Sequence, residues 1–219
     1  MSIMESIGLG HATPNEISGA TAINSGPLSK YLRKLQQLRL IDREVPVTAS
    51  AKKSKRSKYD VADEFLRFWF RYVAPNQGTL EQGRTEPVRA AIAETLPTHT
   101  SRTFEAVCQQ AVQTAAFPVS CSRVGRWWYS GEEIDVVGLN QHTDTLLLGE
   151  CKWTSAPVGR AVFDDLTALA SSVRWHGDDR NVRYALFSRA GFTDELQTVA
   201  DERPEVYLYG LTELAALFG

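Results

Sequence analysis

Apolar residues recur at steps of three and four through the first forty positions, then alternate, and the two rhythms predict different elements. Leu28, Tyr31, Leu32, Leu35 and Leu38 share one face of a helix opened by Asn24-Ser25-Gly26-Pro27, while Lys30, Arg33, Lys34 and Gln37 lie off that stripe. Upstream, Thr13-Pro14-Asn15-Glu16 is a helix start, with Thr as cap, Pro in the first turn and Glu three residues after the cap. Residues 2–9 are weakly periodic. Residues 41–47 read as a strand, 48–57 as a loop and 58–61 as a return strand. Helix, turn, helix and a basic wing predict an N-terminal winged helix-turn-helix. Residues 63–73 follow as a helix carrying Phe65, Phe68, Trp69, Phe70 and Tyr72. Nucleobase stacking is one use for such rings, but their helical spacing favours a buried helix that docks two domains.

Residues 74–100 read as a connector punctuated by Pro75, Gly78, Gly83, Pro87 and Pro97, with a short helix near 88–96. This divides the chain into 1–73, a connector of 74–100, and a second domain of 101–219. The second domain begins with a helix near 102–115, its apolar face formed by Phe104, Val107, Cys108, Ala111, Val112 and Ala115. Strands are predicted near 117–124, at 133–139 and at 145–153. A helix over 161–173, a strand over 182–188, a helix over 193–202, a strand over 205–209 and a final helix over 212–218 complete it. The order is αβββαβ with an αβα extension, an α/β domain with a mixed sheet.

Charge sharpens this division. The first sixty residues hold ten basic and five acidic residues, a net +5, so with −2 overall the remainder carries −7. That asymmetry points to a nucleic-acid-facing N-terminal part. Lys30, Arg33 and Lys34 on the second helix of the motif, and Lys52, Lys53, Lys55, Arg56 and Lys58 around the wing, are the candidate DNA contacts. A solvated charge run, or a winged helix used for protein contact, is the other reading of the same residues. Cys108, Cys121 and Cys151 are odd in number and lack C-x-x-C spacing, as expected of reduced thiols in a cytoplasmic protein. No apolar run has membrane-spanning length and the N-terminus lacks a signal pattern, so no membrane association is expected.

Lys152 is the only lysine after Lys58; every other basic residue in that remainder is an arginine. A compact ammonium orients a water or meets a single developing charge in a way that a guanidinium does not. If the strands around 140–144 close as a hairpin, Asp135 falls opposite or nearly opposite Glu150, and Glu150 shares a face with Lys152. Facing carboxylates repel unless a cation lies between them, which suits a divalent metal. A solvated strand face on which Lys152 pairs with Glu150 is the alternative.

Glu105 on the first helix, Asp135 on a middle strand and Glu150-Cys151-Lys152 on the next resemble the PD-(D/E)XK nuclease superfamily, with Ile134 in place of the proline. The helix Phe65-Leu66-Arg67-Phe68-Trp69-Phe70-Arg71, the pair Trp127-Trp128, and the strands Glu133-Ile134-Asp135 and Gly149-Glu150-Cys151-Lys152-Trp153 are similar to the C-terminal region of the archaeal-type P-loop ATPase family. There a winged helix precedes a nuclease-like domain, and the resemblance runs from about Thr13 onward. It implies that Asp135, Glu150 and the backbone carbonyl of Cys151 bind Mg²⁺ or Mn²⁺. Glu105 would assist as a direct or water-mediated ligand, and Lys152 would position the attacking water or stabilise the pentacovalent phosphate; Lys152 and Glu105 are thus the catalytic pair. The sequence has no G-x-x-x-x-G-K-[ST] loop, so this is expected to be a stand-alone version or part of a truncated or split gene, without ATP hydrolysis of its own.

Two functions follow. One is a metal-dependent endodeoxyribonuclease tethered to DNA by its winged helix. The other is a catalytically inactive DNA-binding regulator or adaptor, and either is compatible with docking on a separately encoded P-loop ATPase.

Overall fold

The computed structural model describes residues 1–177 and 179–219, and in it the helix starts follow their capping residues. Helices α1 (Ile3–Gly8) and α2 (Pro14–Thr21) both open on a reciprocal capping box. In α2 the Glu16 amide donates to Thr13 Oγ1 at 3.3 Å, while the Thr13 amide donates to Glu16 Oε2 at 2.8 Å. These bonds satisfy amides that the first helical turn leaves without partners. Ala22, in the left-handed region at φ 56°, ends α2 and turns the chain into α3 (Ser25–Gln37). A short antiparallel pair follows, β1 (Ile41–Glu44) with β2 (Lys58–Val61), in register Ile41↔Val61 through Glu44↔Lys58.

Contacts divide the chain into two units, residues 1–45 with 49–95, and residues 46–48 with 96–219. In the first unit Ile7, Ile17, Leu28, Leu32, Ile41 and Val61 form the core. The apolar stripe of α3 is therefore only partly used: Tyr31 and Leu38 remain 52% and 58% exposed. A unit this small has too little apolar surface to cover the whole stripe, and Tyr31, Leu35 and Leu38 instead line an open groove with Ile3 and Met4. β1 stops at Glu44, short of the predicted Val47, because Pro46 has no amide to donate to a ladder. The loop between β1 and β2 is braced by Arg43, which donates to Ser57 Oγ (2.8 Å) and to the carbonyls of Ala51 (2.7 Å) and Ser54 (2.9 Å). The aromatic segment is a short helix, α4 (Glu64–Phe68), continued by a π-helical turn over Trp69–Val73; Tyr72 is buried and Phe65 is exposed. A further turn, α5 (Gln77–Glu81), precedes α6.

Helix α6 spans Glu86–Val112 and joins the two helices predicted near 88–96 and 102–115 into one. Pro97 lies inside it, at a typical cost of about 3 kcal/mol in a helix interior. Around it, the hydroxyls of Thr95 and Thr100 donate to the carbonyls four residues back, at 2.9 Å each. The division between the units falls within this helix, beside Pro97.

The second unit holds a five-stranded mixed sheet, ordered β3 (Arg123–Tyr129), β4 (Glu132–Asn140), β5 (Thr145–Lys152), β6 (Asn181–Ser188) and β7 (Val206–Tyr209). β3, β4 and β5 are antiparallel neighbours, whereas β5, β6 and β7 run parallel. Helices α7 (Arg160–Leu169) and α8 (Asp194–Glu202) cover one face, with Phe163, Leu166 and Leu196 packed on Ile134, Val137, Leu148 and Leu186. The end of α6, through Phe104, Cys108 and Val112, and α9 (Leu211–Ala216), through Leu214, cover the other face against Val136, Leu147, Ala185 and Phe187. Burial on both sides explains the continuous apolar runs of the central strands. The strand predicted near 117–124 begins only at Arg123. Phe117 and Val119 are buried without being strand residues; Phe117 stacks on Tyr209 at 5.3 Å, and Pro118 between them has no ladder amide to give. Among the described residues no helix is long and apolar enough to cross a membrane.

Candidate functional site: an acidic cluster where two strands part

The last paired residues of β4 and β5 are Val136 and Gly149. A Cβ on Gly149 would lie 3.0 Å from Val136 Cβ and 3.2 Å from the Ala185 carbonyl oxygen, so glycine lets three backbones approach at this point. Beyond it β5 continues to pair with β6 through Lys152↔Ser188, but β4 turns away.

The cause is a bulge. Gly125 pairs with Val137 and Trp127 with Ile134, which leaves Asp135 and Val136 together against the single residue Arg126. Such an insertion breaks the strict alternation of faces and re-aims a side chain. Ile134 and Val137 accordingly enter one core and Val136 the other. Released from the ladder, the Asp135 carboxylate accepts the Cys151 amide through Oδ2 at 3.0 Å. Its backbone carbonyl accepts Gln109 Nε2 at 2.8 Å.

Other groups gather around it. Lys152 Nζ donates to Glu150 Oε1 at 2.6 Å, as expected for two residues on one face of a strand. Glu105 lies on α6 one turn before Gln109. Arg126, 8% exposed, brings its Nε to 3.7 Å from Glu105 Oε2 and pairs through Nη2 with Glu133. At the rim, the Arg189 amide donates to the Lys152 carbonyl at 3.1 Å, and the Arg189 guanidinium stacks 5.0 Å from the Trp153 ring centre. Lys152 and Arg189 thus stand at the C-terminal ends of adjacent parallel strands, where open α/β sheets commonly hold ligands.

The electrostatics are those of carboxylates crowded out of water. Burial, and then the charge of Asp135, push the Glu105 carboxyl up to about 7 despite Arg126 and Arg102 nearby. Burial likewise raises Asp135, against the pull of the Cys151 amide and of Arg126 and Lys152. Glu150 is raised by burial and by Asp135, even though it is paired with Lys152. For Lys152 burial alone would lower the pKa, but the hydrogen bond and charge of Glu150 outweigh it and raise the ammonium. The Cys151 thiol is also raised, by burial and by neighbouring Cys108, and it packs in the core. Only the backbone of Cys151 is available to the cluster.

The fold therefore brings together Glu105, Asp135, Glu150, Cys151 and Lys152. It leaves Lys30, Arg33 and Lys34 exposed on α3, and Lys52, Lys53, Lys55 and Arg56 exposed on the Arg43-braced loop, with Lys58 half-buried at the start of β2. Arg126 and Gln109 were missed by the sequence reading. Gln109 had a signal, four residues after Glu105 on a helical face. Arg126 had none, because a strand arginine between apolar neighbours reads as solvent-facing. Among the described residues no three His, Cys, Asp or Glu side chains are grouped to hold a metal ion by themselves. Two carboxylates and a carbonyl are all hard oxygen donors, a set suited to Mg²⁺ or Mn²⁺ ions that keep several waters.

Against known proteins, the chain is 33% identical over 157 residues to the uncharacterized protein MJECL04 of Methanocaldococcus jannaschii, a match covering 69% of this chain and 35% of that protein. It thus spans about a third of the length of that curated relative. Among solved structures it is similar to protein VC1899 from Vibrio cholerae at 17% identity, over 87% of this chain and 40% of that one, with a TM-score of 0.32. Residues 69–162, which include every member of the acidic cluster, match the DUF234 family of archaeal and bacterial proteins of unknown function.

Proposed function

We propose that this chain is a DNA-binding protein whose second unit hydrolyses DNA phosphodiester bonds with the help of Mg²⁺ or Mn²⁺. In this reading the first unit is a winged helix-turn-helix and the second a PD-(D/E)XK nuclease-like domain. The observation that carries it is the convergence of Glu105, Asp135, Glu150 and Lys152 where β4 and β5 part, with carboxylates held above their ordinary pKa range by burial and by one another.

Asp135 and Glu150, with the Cys151 carbonyl, would hold the metal. A bound divalent ion supplies an acidified water and neutralises charge growing on the phosphate. Lys152, oriented by its bond to Glu150, is placed to steady the attacking water or the phosphate oxygen. Glu105 serves through a water, since its carboxylate faces Arg126. Arg189, stacked on Trp153 beside Lys152, offers its guanidinium to a flanking phosphate. On the first unit the exposed lysines of the loop suit backbone phosphates, and α3 suits a groove.

The test incubates supercoiled plasmid with purified protein and Mg²⁺ or Mn²⁺, with EDTA and Asp135→Ala as controls. Metal-dependent nicking that the variant loses is expected. Absence of nicking, or equal nicking by the variant, refutes the enzyme. A second reading, a DNA-binding adaptor that partners a separate P-loop ATPase, is favoured by the 2.6 Å Lys152–Glu150 bond, which already neutralises one proposed ligand. It predicts DNA binding without cleavage.

A further inference from the structure

We infer that Gln109 is a positioning residue: it clamps the backbone of Asp135 to α6 and so fixes where the Asp135 carboxylate stands. The clamp rests on geometry alone, and its consequence for a divalent ion rests on the metal reading above. Asp135 lies in the bulge, where two residues of β4 face one residue of β3, and an inserted residue of this kind drops out of the ladder. Pairing of β4 with β5 begins only at Val136. Asp135 therefore has no partner in the register of either neighbouring strand. Two bonds from different elements hold it instead. The Cys151 amide on β5 donates to its carboxylate at 3.0 Å, and Gln109 Nε2 on α6 donates to its carbonyl at 2.8 Å. A carbonyl only accepts, so this bond needs the amide nitrogen of the glutamine.

The packing of α6 prepares this contact. Phe104, Cys108, Ala111 and Val112 are buried in the core on one side of the sheet, which fixes the rotation of the helix. Glu105 and Gln109, one turn apart and therefore neighbours on the helix surface, are both half-buried. The charges of Glu105 and Asp135 repel, so these two carboxylates do not by themselves keep α6 and β4 together. Arg126 on β3 draws both toward itself, whereas Gln109 ties α6 to the Asp135 backbone directly. Its amide is neutral and adds no charge to the cluster. With one Asp135 oxygen taken by the Cys151 amide, the other is left for an ion, and its direction follows the backbone that Gln109 holds. Groups that orient a metal ligand from behind typically govern affinity by about 10–100-fold. Gln110, next along the helix, is exposed and serves as the control.

The experiment takes two readings on the full chain without nucleic acid: Mn²⁺ affinity by titration calorimetry, and hydrogen exchange of the Cys151 amide by NMR. Gln109→Leu is expected to weaken Mn²⁺ binding by about 10–100-fold. It should also speed exchange at Cys151 but not at Leu147 or Leu148 of the same strand. Gln109→Asn, which keeps the amide on a shorter side chain, should behave like Gln109→Leu, and Gln110→Leu like wild type. A bond that merely stabilised the fold would lower Tm and leave both readings in place. Wild-type Mn²⁺ affinity or unchanged Cys151 exchange in folded Gln109→Leu overturns the inference, as does an equal loss in Gln110→Leu. If circular dichroism shows that Gln109→Leu does not fold, Gln109→Asn is judged by the same two readings. No Mn²⁺ binding by wild type sinks the metal reading, and the clamp then stands or falls on Cys151 exchange alone.

Discussion

Glu105→Gln is expected to stabilise the second unit at alkaline pH, because the fold holds this carboxylate in an environment that disfavours its charge. The carboxyl stands at about 7 in the folded chain against an ordinary value of 4.5, and raising a pKa by one corresponds to about 1.36 kcal/mol. A folded pKa above the unfolded one means that the protonated carboxyl's advantage is complete below about pH 4.5 and is lost as pH rises through about 7. At pH 8 both states are ionised, and the folded chain bears a cost of about 3 kcal/mol; at pH 5 the cost is about 1 kcal/mol. The side chain is only 16% exposed, so solvent screening removes little of this. Glutamine keeps the shape, carries no charge and escapes the cost, while Arg126 keeps Glu133 as a partner. At roughly 2–4 °C per kcal/mol for a chain of this size, Tm should rise by about 6–12 °C at pH 8 and about 2–4 °C at pH 5. Tryptophan fluorescence in EDTA is the appropriate probe, since Trp127, Trp128, Trp153 and Trp175 all belong to the second unit and only Trp69 to the first. A gain equal at both pH values, or a loss at pH 8, would refute the electrostatic argument. A stabilising change at a site residue is the usual mark of a group kept for function at the expense of the fold.

Other consequences are more local. Gly149→Ala should destabilise by about 1–3 kcal/mol, as overpacking typically does, since its new methyl meets Val136 at 3.0 Å and the Ala185 carbonyl at 3.2 Å; an unchanged urea midpoint would show that the strands yield there. Replacing Lys52, Lys53, Lys55 and Lys58 together with Ala should flatten the slope of log affinity for duplex DNA against log salt by about 0.9 for each phosphate that the loop no longer neutralises. A slope that does not move would mean that the loop does not touch DNA.

Much of the architecture was legible in the sequence because local periodicity reports which faces are buried. The polar turn between the strands at 132–140 and 145–152, the cap at Thr13 and the alternation of strands with helices in the second unit each depend on residues a few positions apart. Asp135, Glu150 and Lys152 could be singled out in the same way, since the expected hairpin register sets Asp135 near Glu150, whereas Glu105 was marked out only by the resemblance to the nuclease superfamily. What the sequence could not decide depends on partners far along the chain. Two predicted helices run on as one through Pro97, although local propensity argues for a break there. Tyr31 and Leu38 stay exposed on a stripe that reads as core, because the first unit closes before reaching them. The one-residue excess of β4 over β3 has no local signature; it arises from matching the two strands over their length, and it sets Asp135 and Val136 against Arg126. A buried guanidinium between Glu105 and Glu133 is likewise a tertiary outcome. Its stability requires two carboxylates from different elements to meet it at once, and only the folded chain brings them there.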